Sequence, residues 1–196
     1  MNLNKEFWEE RYATGELGWD MGEVSPPLKA YIDQIHDKNL KILVPGAGNG
    51  HEVVYLFKQG FKNIFVADIA HQPLQNIKSK LPGFPEDHLV EGDFFDLAQN
   101  EFDLVMEQTF FCALDPILRK DYAKRMHHIL RPQGKLCGLL FNFSLSADGP
   151  PFGGTKSEYQ KLFSPYFKIK LLEPSTNSIK PRQGRELFFI FENKRS

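Results

Sequence analysis

The chain of 196 residues is poor in cysteine, with Cys112 and Cys137 alone. Two thiols can build neither a disulfide framework nor, by themselves, a cysteine zinc site, and they point to a reducing cytoplasm. Long apolar runs are also missing. Nothing approaches the roughly 20 residues that span a bilayer, so no membrane partner is expected. The first ten residues are polar and acidic, unlike a secretory signal. Nor is there an excess of one charge: 24 Lys and Arg face 25 Asp and Glu, for a net charge of −1. The global basic field of a nucleic-acid binder is therefore absent. No repeat, low-complexity segment or linker divides the chain. A single domain is expected over residues 1–196, with an N-terminal helical segment at 1–36 and a core at 40–196. What the chain has in quantity is phenylalanine, 18 residues, enough to fill a core or to line a pocket.

Residues 5–13 and 26–35 read as short helices, the second opened by Pro26-Pro27. From residue 41 the pattern changes. Apolar runs at 41–44, 63–67, 88–91, 102–107 and 135–143 alternate with helical segments at 51–59, 72–80 and 116–130. A late helix at 157–163 precedes two last apolar runs, 167–172 and 186–192, with no room for a helix between them. Alternation implies parallel strands joined by right-handed crossovers, and short all-apolar runs fit strands buried on both faces. The expected fold is α/β and Rossmann-like. It has a seven-stranded, mostly parallel sheet with an antiparallel edge pair and helices on both faces. Ligands of such sheets bind beyond the carboxyl ends of the strands.

Three strand ends carry suitable chemistry. The first strand runs into Gly46-Ala47-Gly48-Asn49-Gly50 and then a helix. Glycines there let backbone approach a ligand closely. The dinucleotide fingerprint needs a further glycine at position 51, which is His51, and the Lys-Ser/Thr of a phosphate loop is absent. Asp68 closes the second strand, 20 residues beyond Gly48, where a carboxylate can accept both hydroxyls of a ribose. Asp93 closes the third, and with Phe94 it could frame an adenine ring.

The strand–glycine loop–helix unit, the acid closing the second strand and Gly92-Asp93-Phe94-Phe95 resemble class I S-adenosylmethionine-dependent methyltransferases. Phe7-Trp8-Glu9-Glu10-Arg11-Tyr12, Gly18-Trp19-Asp20 and Ser25-Pro26-Pro27 resemble the thiopurine S-methyltransferase family, particularly its thiol and halide branch. In that branch three aromatic positions, usually Trp, have the spacing of Trp8, Tyr12 and Trp19, and the middle one is Tyr here. Residues 103–122, with Phe110-Phe111-Cys112-Ala113 at their centre, resemble the family's fourth-strand segment.

The resemblance implies an enzyme that uses S-adenosyl-L-methionine and acts on a small soft nucleophile: a thiol, a thiopurine or a halide-like anion. It implies that residues 1–36 lie over the cofactor as a lid carrying Trp8, Tyr12 and Trp19. Gly46, Gly48, Asp68, Asp93 and Phe94 would hold the cofactor. Glu107 and Gln108, ending the fourth strand, would face either its methionyl part or the acceptor. Arg119 is aligned by the resemblance with an arginine near the acceptor, where a guanidinium would lower a thiol's pKa. Its other reading is a solvated helix charge beside Lys120 and Asp121. Phe110 and Phe111 read equally as acceptor wall or core, and Cys112 chiefly as a small core residue. The segment Gly149-Pro150-Pro151-Phe152-Gly153-Gly154 could close on a substrate or serve as a connector. His127 and His128 are adjacent and cannot share a helix face, so no metal site is expected. A small-molecule partner, no nucleic acid and a monomer complete the expectation. The rival readings are a small-molecule N- or O-methyltransferase and a non-catalytic S-adenosylmethionine-binding protein. Many amine and nucleobase methyltransferases carry Asn/Asp-Pro-Pro-Tyr/Phe after the fourth strand. Here that place reads Glu107-Gln108-Thr109-Phe110, which argues against the first rival.

Overall fold

The computed structural model describes residues 3–146 and 149–195. Its strands are β1 (Ile42–Pro45), β2 (Ile64–Asp68), β3 (Leu89–Glu91), β4 (Phe102–Gln108), β5 (Leu130–Phe141), β6 (Phe167–Pro174) and β7 (Glu186–Asn193). They form one sheet in the order β3-β2-β1-β4-β5-β7-β6. Strands β1 to β5 pair in parallel, and β7 lies antiparallel between β5 and β6. The expected fold class and the antiparallel pair at the edge are both present. Because β6 is antiparallel to β7 as β5 is, β6 runs in the direction of β5. Its carboxyl end therefore lies on the same side of the sheet as those of β1 to β5.

The helices are α1 (Lys5–Thr14), α2 (Pro26–Ile32), α3 (His51–Lys58), α4 (His71–Lys80), α5 (Arg119–Ile129) and α6 (Lys156–Phe163). Alternation along each strand divides the core in two. Ile42, Val44, Leu104 and Met106 point to a layer made with Leu28, Ile32, Val53, Leu56 and Ile77 from α2, α3 and α4. Leu43, Val105 and Leu136 point the other way, to Tyr122, Met126 and Phe163 from α5 and α6. Burying one such side chain contributes about 1.5–3 kcal/mol. The phenylalanines serve both expected uses. Phe163, Phe189 and Phe191 stack in the core (Phe163–Phe191 at 4.8 Å, Phe189–Phe191 at 4.6 Å). Others reach the cavity described below.

The second helix ends at Ile32 rather than 35, and two elements begin well away from the expected residue. The helix foreseen from residue 116 begins at Arg119, because Asp115 caps the N–H of Ile117 and holds Pro116–Leu118 as a tight 3-10 turn. Strand β5 begins at Leu130, not 135, since Leu130 pairs with Phe102 before an irregularity that absorbs Arg131-Pro132-Gln133. Helix α1 buries no residue completely. It is closed by Asn4, which accepts from the N–H of Phe7, and by Gly15 in the left-handed region.

Candidate active site

A cavity of about 840 Å³ opens beyond the carboxyl ends of the strands. At one end lie the glycine loop, Asp68 and Asp93. Gly46 and Gly48 both have positive φ, 56° and 54°. A Cβ on Gly46 would fall 2.3 Å from the Phe110 ring, and one on Gly48 would sit 3.6 Å from both Tyr12 Oη and Trp19 Nε1. The absence of side chains thus brings aromatic rings onto the loop. Asp68 lines the cavity, 8% exposed, and its Oδ1 accepts from the N–H of Ala70 at 3.0 Å. Burial pushes its carboxyl up to about 6, against the opposing pull of the Ala70, Gly48 and Ile69 N–H groups. Asp93 caps the turn Phe94–Asp96 through the N–H of Phe95, and so presents Phe94 edge-on to Phe110 at 5.2 Å.

The N-terminal segment covers this end. Trp19 meets Trp8 at 5.6 Å and Tyr12 at 5.8 Å, both edge to face, and all three line the cavity. Burial, then the nearby charge of Asp68, raises the Tyr12 hydroxyl well above its ordinary value, so it stays protonated. Among the polar ties that hold the segment, three lie near the cavity. Lys5 pairs with Glu91 at the end of β3. Asp20 accepts from Asn49 of the glycine loop and from the Gly22 N–H, and lies 2.7 Å from His51 Nε2. Burial works against its charge, but these partners hold the Asp20 carboxyl below the usual range. The third tie is Arg182, whose Nη2 donates to the Trp19 carbonyl at 2.7 Å. His51 is thus a partner of the segment, in the first turn of α3.

Glu107 and Gln108 do not line the main cavity. Glu107 is 1% exposed, and its Oε2 accepts from the N–H groups of Phe110 and Phe111 at 3.0 and 3.2 Å. It supports from beneath a turn in which Thr109 has a φ of 60°. A β-branched residue there is strained, and the two bonds to Glu107 help to hold it. Burial pushes the Glu107 carboxyl up to about 7. Gln108 lines a small recess of about 40 Å³ beside the cavity, together with Met21, Gly48 and Asn49.

Arg119 does not reach the cavity wall either. Its Nη2 donates to the Gly153 carbonyl at 2.8 Å, and its guanidinium lies over Phe111 at 5.0 Å. Together with the bond from Phe152 N–H to the Cys112 carbonyl, it ties down the 149–154 segment, whose Pro150 and Pro151 line the cavity. Phe111 is core, whereas Phe110 and Cys112 line the cavity. Burial pushes the Cys112 thiol far up, so it is no nucleophile.

Arg182 and Arg185 also line the cavity, and residue patterns alone did not single them out. Arg182 is 11% exposed, lies 3.4 Å from buried Glu186, and rests over Phe141 at 5.6 Å. Arg185 rests over Phe143 at 4.7 Å, and the Phe141 and Phe143 rings pack tilted to one another at 5.0 Å. A signal was present: Lys180-Pro181-Arg182-Gln183-Gly184-Arg185 is a basic, turn-rich connector. Only the direction of β6 puts it on the ligand side. Among the described residues no group of three or more His, Cys, Asp or Glu could hold a metal, and no helix is long and apolar enough to cross a membrane.

Glycine loop, ribose-type carboxylate and aromatic cover fit S-adenosylmethionine, and the comparisons agree. A "Probable thiol methyltransferase 2" of Arabidopsis thaliana is 31% identical over 184 residues, covering 91% of this chain and 81% of that protein. A "Thiocyanate methyltransferase 1" of Brassica oleracea matches with the same identity and coverage. In fold, the chain is similar to the Burkholderia thailandensis 1,6-didemethyltoxoflavin-N1-methyltransferase, solved with S-adenosylhomocysteine. The TM-score is 0.74, with 18% identity, over 96% of this chain and 86% of that one. The profile of the family described as Thiopurine S-methyltransferase matches residues 3–194. The chain belongs to the thiopurine S-methyltransferase family, and so to the S-adenosylmethionine-dependent methyltransferases.

Proposed function

We propose that this chain methylates the sulfur of a small thiol, with residues 1–36 as a lid over a catalytic core at 40–196. The observation that carries this reading is that one cavity is lined both by Asp68 and by Arg182. No cavity-lining residue among those described is a histidine that could act as base. A site without such a base suits an acceptor that arrives as an anion.

In this reading Asp68 accepts both ribose hydroxyls, Asp93 and Phe94 frame the adenine, and Gly46 and Gly48 let the cofactor lie against backbone. The recess at Gly48 and Gln108 takes the methionyl end. Bound there, S-adenosylmethionine supplies a sulfonium methyl open to in-line displacement. The thiol gives its proton to water. A thiolate held at Arg182 would accept that methyl, with the sulfonium's bonding pair staying on the cofactor sulfur. Opposite charges vanish in that step, so water, which stabilises the separated ions, opposes it. Trp8, Tyr12, Trp19 and Phe110 exclude water and fix the approach. Their faces also attract a sulfonium, by about 0.5–2 kcal/mol. Arg182 takes the acceptor-side role first expected of Arg119, because it alone of the two faces the cavity. It holds the thiolate and lowers the pKa of the thiol. Arg119 acts on the 149–154 segment.

Two free, buried cysteines suit a cytoplasmic setting. A monomer is supported by the exposed apolar surface, since Ile117 and Leu145 are the large hydrophobic residues exposed among those described. The test is release of S-adenosylhomocysteine with a panel of thiols, thiocyanate, iodide and amines. Thiols are expected to turn over fastest; an amine faster than every thiol would overturn the reading.

A further inference from the structure

We propose that Asn76 is a positioning residue: through a one-way chain of side-chain amides, helix α4 aims the amide of Asn49 at Asp20 and so holds the N-terminal segment over the cofactor end. This rests on the lid reading above and names what sets the lid in place.

The first argument is the direction of the bonds. Asn49 Nδ2 donates to Asp20 Oδ2, and Asn49 Oδ1 accepts from Asn76 Nδ2 at 2.8 Å. Asn76 Oδ1 accepts in turn from Gln72 Nε2 at 2.8 Å. Asp20, held below the usual carboxyl range, is ionised at neutral pH. An ionised carboxylate only accepts, whereas an amide offers an oxygen acceptor on one side and a nitrogen donor on the other. Asp20 therefore dictates which way Asn49 faces, and Asn49 dictates Asn76. Every amide nitrogen in the row points toward the N-terminal segment. Turning one amide over would set donor against donor and acceptor against acceptor.

The second argument is the rigidity of the platform. Gln72, Asn76 and Lys80 are four residues apart on α4 and share one face. Lys80 Nζ donates to the Asn49 backbone carbonyl at 2.6 Å, so one helix grips Asn49 by main chain and side chain. The helix is also pressed against the glycine loop, since a Cβ on Gly50 would fall 2.3 Å from Ile77 Cγ1. It starts beside the ribose-type carboxylate: Asp68 Oδ1 accepts from the N–H of Ala70, which precedes α4. A second route from α4 to the segment runs from His71 through Glu91 to Lys5. Those side chains are 35–56% exposed, and pairing between such exposed groups is weak. The Asp20 side chain is 19% exposed, so the amide row is the stronger hold.

The experiment measures affinity for S-adenosylhomocysteine by calorimetry on the full chain, as wild type, Asn76→Ala, Asn76→Asp, Asp20→Asn and the double variant Asp20→Asn/Asn76→Asp. Asn76→Ala should raise the dissociation constant about threefold to tenfold. Asn76→Asp should raise it further, because a carboxylate there turns the Asn49 amide over and sets its oxygen against Asp20. Asp20→Asn alone should also weaken binding, since two donors then meet. The double variant keeps the net charge and runs the row backwards. The carboxylate now at position 76 accepts from Asn49 Nδ2, and the amide now at position 20 donates to Asn49 Oδ1. It should bind more tightly than either of its single variants, a rescue that a merely structural Asn76 does not produce. Unchanged affinity in Asn76→Ala, or losses that add in the double variant, would overturn the proposal. Hydrogen exchange separates this from failure of the lid reading. The Gly22 N–H donates to Asp20 Oδ1, so in the ligand-free chain its exchange should quicken in each single variant and slow again in the double. Should S-adenosylhomocysteine leave exchange over residues 4–24 unchanged in wild type, the lid reading fails, and the cycle at Gly22 still decides whether Asn76 positions Asp20.

Discussion

Arg182 donates to the backbone carbonyl of Trp19 across 163 positions of sequence, joining the β6–β7 connector to the aromatic cover of the cofactor end. The same guanidinium is paired with Glu186 inside the protein. One side chain thus touches the cavity, the N-terminal segment and a buried acid.

Replacing Arg182 should therefore be felt in two measurements. Arg182→Gln is expected to lower kcat/KM for thiols about tenfold to a hundredfold, a charge-assisted hydrogen bond being worth about 1.5–3 kcal/mol. It also leaves Glu186 buried without its partner, so the thermal midpoint should fall. Adding Glu186→Gln should recover the midpoint but not the rate. A double variant that recovered both would make the arginine structural only.

Asp68→Asn should weaken S-adenosylhomocysteine about tenfold by calorimetry. The wild type should show a pH dependence that the variant lacks. Burial raises the Asp68 carboxyl to about 6 in the free protein, and ribose hydroxyls favour its charged form. Binding near pH 6 should release a proton, visible as a dependence of the measured enthalpy on buffer. Affinity should decline as pH falls below about 6.

Glu107 bears on stability. Its folded pKa of about 7 lies above the ordinary 4.5, so between those values the folded state holds more proton than the unfolded one. Its contribution to stability therefore falls as pH rises through that window and levels off above it. The loss is on the order of 3 kcal/mol. Glu107→Gln keeps an oxygen for the Phe110 and Phe111 N–H groups while removing the charge. Its thermal midpoint should be flatter than that of wild type between pH 5 and about 7.5. Identical slopes would mean that the carboxyl does not titrate there.

The N-terminal segment should protect its amides only when the cofactor end is filled. Helix α1 has no fully buried residue, so its hold depends on Trp8, Tyr12, Trp19 and the ties at Lys5, Asp20 and Arg182. Hydrogen exchange over residues 4–24 should slow on binding S-adenosylhomocysteine. Asp20→Ala should raise the dissociation constant severalfold by freeing the loop from Asn49 and His51. Equal exchange in both states would reduce the aromatic cluster to packing.

Parallel strands and strand-end residues were legible in the sequence because each is a local signal. An apolar run followed by Gly46 or Asp68 places that residue at the carboxyl end without any knowledge of neighbours. Trp8, Tyr12 and Trp19 were legible through their spacing. Arg119 carried two readings, acceptor-side cation or solvated helix charge, and local sequence could not choose between them. It opens α5 close to the right strand, but its side chain turns to the carbonyls of Phe152 and Gly153, a long-range contact that no periodicity records. Glu107 was correctly read as buried, and its Oε2 accepts from N–H groups three and four residues on. Arg182 and Arg185 were hidden because the end of the sheet on which they fall depends on β6 running with β5 and β7 against both.

That strand order also divides labour along the chain. The groups assigned to the cofactor come from the first hundred or so residues, whereas two cations that line the cavity sit on one short connector near the far terminus. Loops are cheap to alter: doubling the length of a flexible one costs only about 0.6 kcal/mol. Grafting a different 175–185 connector between β6 and β7 is thus a route to new acceptors that leaves the methyl-donor seat intact, provided the graft keeps a donor for the Trp19 carbonyl.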